Sequence, residues 1–84
     1  VYRLVPDPVV REQVAALPVE ALDAYAAVLD NLVQSPWSGE PQHGDNPDGA
    51  VRRQAFGPED AGQLVYLILE GQQEVHLLLV QWWA

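Results

Sequence analysis

The spacing of apolar residues changes once along this chain, and that change limits the folds open to it. From residue 9 to residue 34 apolar side chains recur every three or four positions, the repeat of a helix with one buried side. From residue 51 onward they recur every second position, the repeat of strands. Residues 35–49 between them are rich in Ser, Pro, Gly, Asp and Asn and carry no period, so they form a loop. Helices followed by strands in 84 residues predict one α+β domain over residues 1–84. A loop of about 15 residues is long for so small a domain, and such loops are often functional.

Local signals refine this frame. Val1 to Val5 alternates weakly and reads as a first strand. Asp7 is a good N-cap and Pro8 suits the first helical position, which starts a helix near 9–17 with Val10, Val14 and Leu17 on one side. Pro18 ends that helix and opens a second over 19–34, where Leu22, Tyr25, Ala26, Leu29, Leu32 and Val33 form an apolar stripe. Ser35-Pro36 stops it. Strands are expected at 51–56, 64–69 and 74–83, the last two joined as a hairpin through Glu70-Gly71-Gln72-Gln73. The predicted order is β-α-α-β-β-β, a mainly antiparallel sheet with two helices on one face.

The last two strands are apolar on both sides, whereas a half-exposed sheet shows polar residues on one. Two short helices cover only one face. The other is either covered by the long loop or offered to another chain. Phe56, Trp82 or Trp83, and a subset of Tyr66, Ile68, His76, Leu78 and Val80 are expected to line it.

The formal net charge is −8, there is no lysine, and Arg3, Arg11, Arg52 and Arg53 are the only arginines. So acidic a domain repels a phosphate backbone at long range, and direct DNA binding is not expected. Without cysteine there is no disulfide and no thiolate metal site. No basic-then-apolar leader precedes the domain and no apolar run is long enough to span a bilayer, so a cytoplasmic protein without membrane contact is expected. No phosphate loop, nucleophile elbow or zinc motif occurs, and no cofactor or metal is expected.

Several segments resemble the RelE/ParE toxin superfamily of bacterial type II toxin–antitoxin systems. Ser35-Pro36-Trp37-Ser38-Gly39-Glu40-Pro41 looks like the loop after its second helix, Val51-Arg52-Arg53-Gln54-Ala55-Phe56-Gly57 like its second strand, and Gln63-Leu64-Val65-Tyr66-Leu67-Ile68 like its third. Val75 to Val80 fits its last strand. The resemblance implies a small toxin neutralised by an antitoxin chain encoded nearby. RelE-like members cut messenger RNA on the ribosome; ParE-like members act on DNA gyrase.

The pattern departs where the chemistry would lie. Ribonuclease members carry several Lys and Arg residues on the sheet. Here Arg52 matches one basic position, Gln54 and Gln63 stand where others are usual, and Gln81, Trp82 and Trp83 replace a basic strand end. Phosphodiester cleavage needs positive charge where negative charge develops, so the ribonuclease site reads as degenerate. Arg52 is the favoured functional cation by resemblance, and the alternation turns Arg53 to the opposite face. His76 is either a partly buried histidine with a hydrogen-bond partner or a base near Arg52 or Gln54. His43 lies among Asp45, Asn46, Pro47 and Asp48, a set that reads as turn chemistry or, less simply, as a metal or acid–base pair. Three functions stay open: a toxin component, a non-catalytic interaction domain that self-associates through the open face, and an atypical messenger-RNA endoribonuclease using Arg52 with His43 or His76.

Overall fold

A computed structural model of the chain describes residues 1–42, 44–45 and 48–83. The elements are β1 (Arg3–Pro6), α1 (Pro8–Ala15), α2 (Val19–Gln34), β2 (Glu40–Pro41), β3 (Val51–Phe56), β4 (Gly62–Leu69) and β5 (Glu74–Trp82). The five strands form one sheet in the order β1-β5-β4-β3-β2, with β1 parallel to β5 and the other pairs antiparallel. The α+β class, the helix pair and the three long strands follow the periodicity. Strand β2 lies inside the segment expected to be loop; its two residues pair with Arg53 and Arg52. That contact depends on a strand distant in sequence, so no local repeat marks it.

Helix α1 starts as its residues dictate: the Asp7 side chain accepts from the Val9 amide at 3.1 Å, and Pro8 occupies the first turn. It ends at Ala15, short of the expected residue 17, because Pro18 keeps its predecessor out of helical geometry. Helix α2 spans 19–34 as expected, but it is rotated about its axis. Ala21, Tyr25, Val28 and Leu32 are its buried residues, while Leu22 is 41% exposed and Ala26 is also exposed. Both stripes satisfy helical spacing and share Tyr25 and Leu32. Ala21 is fully buried, and periodicity does not choose between the two stripes.

Cross-strand register assigns the two faces. Arg52, Gln54 and Phe56 on β3 share a face with Leu64, Tyr66 and Ile68 on β4 and with Val75, Leu77, Val80 and Trp82 on β5. This face packs under the helices: Tyr25 of α2 meets Phe56 edge-on at 5.5 Å, and the core joins Val10, Val28 and Leu32 to the strand residues. Phe56, Tyr66, Ile68, Val80 and Trp82 were expected on the open face and lie instead on the covered one. The parity was ambiguous because both faces are apolar. It is also broken within β5, where Val65 pairs with Leu79 and Tyr66 with Leu77, leaving Leu78 as the extra residue of a bulge.

Candidate functional site

The other face is assembled from rows that cross the sheet. Val51, Leu67, His76 and Val5 form one row; Arg53, Val65 and Leu79 form the next, with Glu40 of β2 beside Arg53. At one end lie Ala55, Gln63 and Gln81, and at the other Leu69, Glu74 and Arg3. The middle is apolar and the ends are polar. Val5, Val51, Leu67 and Leu79 are all partly exposed, in contrast to the fully buried residues behind them.

The long segment is anchored on both sides of the sheet edge: Glu40 pairs with Arg53 on this face, while the contacts of Tyr66 and Arg52 lie on the helix side. The Tyr66 hydroxyl donates to the Pro36 carbonyl at 2.7 Å, and Arg52 donates to the carbonyls of Gly49 at 3.1 Å, Gly39 at 3.0 Å and Trp37 at 3.4 Å. The Arg52 guanidinium also sits 4.9 Å from the Trp37 ring centre. Burial pushes the Tyr66 hydroxyl up to a pKa of about 12, with the nearby Arg52 charge pulling the other way. A Cβ on Gly39 would collide with the Tyr66 hydroxyl and lie 2.8 Å from the Arg53 carbonyl, so only glycine lets the loop come this close.

These contacts decide between the candidate residues. Arg52, favoured as the functional cation, is 8% exposed and holds the loop from beneath. His76 lies on the opposite face, 3.0 Å from Glu74, whose carboxylate also pairs with Arg3. Arg52 and His76 therefore form no common site: His76 is a partly buried histidine with Glu74 as its partner, and the alternative of a base near Arg52 or Gln54 does not occur. Of the two adjacent arginines, Arg53 is the one on the open face, 3.3 Å from Glu40. The Arg-Arg alternation announced that one of the two would face each way; only the packing says which. His43 lies outside the described residues. Leu78 is the bulge residue, and Trp83, past the end of β5, is 62% exposed.

Beside Arg53 a cavity of about 350 Å³ opens at the edge of β3, lined by Ser38, Gly39, Glu40, Arg53, Gln54, Ala55, Asp60 and Gln63. One cation and two carboxylates share its walls, together with three neutral hydrogen-bonding side chains. That lining suits a polar or cationic group better than a phosphate. Among the described residues no three His, Cys, Asp or Glu side chains converge to hold a metal ion. No helix of the described residues is long and apolar enough to cross a membrane.

Two helices and a five-stranded mixed sheet match the fold of solved RelE toxin structures. The isolated RelE toxin of E. coli superposes with a TM-score of 0.81 over 100% of this chain and 86% of that one, at 14% identity. A double arginine-to-alanine variant of E. coli RelE in the free state gives 0.76 over 95% and 81%, at 17% identity. The fold is RelE-like and the sequence is widely divergent from it. No protein-family model and no curated protein sequence matches the chain.

Proposed function

We propose that this chain is a RelE-like toxin-type protein that acts by holding protein partners on its open sheet face, one of them an antitoxin chain encoded nearby, and that its ribonuclease site is degenerate. The observation that carries the reading is the open face itself. Val51, Leu67 and Leu79 are partly exposed apolar residues on the side away from both helices, around a buried Val65 and with His76 between Leu67 and Val5, in a fold shared with proteins described as toxins. Burial of apolar area is worth roughly 25 cal/mol per Å², so a partner gains by covering such a surface. The degenerate site is supported by Gln54, Gln63, Glu40 and Asp60 around a single arginine, where a cleaved phosphodiester would need several cations. A net charge of −8 weighs against close self-association through the same face.

The test is induced expression of the chain alone and together with the adjacent reading frame. Growth arrest relieved by the neighbour is expected, with relief lost when Leu67→Glu and Leu79→Glu are introduced into a chain that still folds and still arrests growth. Chain added to a translating extract, with RNA ends mapped by primer extension, should give no codon-phased cuts. Robust cutting would defeat the degenerate-site reading, and relief that survives both substitutions would defeat the docking face.

A further inference from the structure

Resting on that docking reading, we propose that the segment held on the open face is basic: an apolar stretch laid over the partly exposed Val51, Leu67 and Leu79, with a Lys or Arg side chain entering the cavity between Glu40 and Asp60. The order of the rows carries the argument. Along β4 the face runs from Gln63 through Val65 and Leu67 to Leu69, so an occupant meets a polar end, an apolar middle and a second charged end. The two arginines of the face already face carboxylates, Arg53 beside Glu40 and Arg3 beside Glu74. His76 also leans on Glu74. At the cavity end, Asp60 adds a carboxylate, and Glu59 precedes it in the same exposed turn.

An acidic segment laid along these rows would set its charges against Glu40 and Asp60 at one end and Glu74 at the other. A basic segment finds Asp60 beside the Arg53–Glu40 pair at the cavity end, whereas Glu74 at the other end is already held by Arg3 and His76. The −8 field of the whole chain draws such a segment in. The cavity, at about 350 Å³, has room for a guanidinium or ammonium head with part of its stem. Its neutral lining of Ser38, Gln54 and Gln63 offers acceptors for the remaining N–H groups. RNA is the disfavoured occupant, because its phosphates would face the same carboxylates.

Two synthetic peptides with one shared Leu/Val spacing, one bearing lysine and arginine at its ends and the other glutamate, are titrated into the full chain by fluorescence anisotropy. A single-stranded RNA oligonucleotide is the third probe. The basic peptide should bind roughly tenfold tighter than the acidic one, and more weakly as salt rises. Glu40→Gln with Asp60→Asn should weaken it roughly threefold to tenfold and flatten the salt dependence, whereas Glu20→Gln on α2 should change neither. Equal binding of both peptides that Leu67→Glu abolishes overturns the charge pairing and leaves the docking face standing. Tighter binding of RNA than of the basic peptide also overturns the pairing. Peptide binding unaffected by Leu67→Glu, or no peptide binding at all, overturns the docking face with it.

Discussion

Tyr66 and Arg52 stand side by side on the covered face, and both direct their polar groups at the backbone of the 35–49 segment. Their contacts at Pro36 and Gly39 hold the part of it, Ser38 to Glu40, that lines the cavity. Tyr66→Phe removes the donor to the buried Pro36 carbonyl, and the expected cost is about 1–3 kcal/mol, read as a lower urea midpoint with an unchanged slope. A second tie sits on the surface. Glu70 accepts from the Trp37 indole at 2.8 Å, the Tyr2 hydroxyl at 2.7 Å and the Gln73 amide at 2.7 Å. Those hydrogen bonds, that of Trp37 foremost, hold its carboxyl below the ordinary value of 4.5. A depressed carboxyl stabilises the fold fully above its unfolded pKa and loses that contribution as pH falls through the folded one. Thermal melts should therefore fall more steeply below pH 4.5 in the parent chain than in Glu70→Gln. Parallel curves would show that the tie contributes nothing.

Elements are fixed here by competition between equally periodic alternatives. Helix α2 could bury Tyr25 and Leu32 together with Leu22, Ala26 and Leu29 or together with Ala21 and Val28, and it buries the second set. Leu32→Ala should then cost about 2–5 kcal/mol, and Leu22→Ala about 0.5 kcal/mol or less, in chemical denaturation. Equal costs would mean that the helix sits on the other stripe. The β4–β5 connection shows a similar competition. Gly71 is the residue that turn chemistry favours, yet the left-handed position falls on Gln73, at φ 54°. Its amide bonds to the carbonyl and carboxylate of Glu70 offset a conformation that costs a non-glycine residue about 1–2 kcal/mol. Gly57, at φ 83°, meets the opposite demand: a side chain there would run into the Trp82 ring.

At the scale of the molecule, twelve acidic and four basic residues in one small domain make self-repulsion a standing term against compactness. Among the described residues, the pairs Arg3–Glu74 and Arg53–Glu40 that relieve it each have at least one well-exposed partner, so they contribute little. Sodium chloride in the range that screens charges over about 10 Å should raise the melting temperature of the isolated chain. A flat or falling melting temperature would show that the surface pairs outweigh the repulsion. A basic partner should reduce the salt effect by supplying the missing charge.

The residue types alone determined the α+β class, both helix starts, the proline stops and the strands from residue 51 onward. Each of these rests on spacing or on backbone chemistry within a few positions. They also determined that Arg52 and Arg53 point opposite ways, since alternation is a local property of a strand. Tertiary structure decided which face is covered. When both sides of β4 and β5 are apolar, parity carries no inside and outside, and the choice falls to how α2 packs and to the bulge at Leu78. That one decision moved Phe56, Tyr66 and Val80 into the core, made Arg52 a support for the loop, and left Arg53, Val65, Leu67 and Leu79 on the open side. It also created β2 and the cavity beside it, because those join residues near 40 to residues near 53 and 63, a distance that no local period spans.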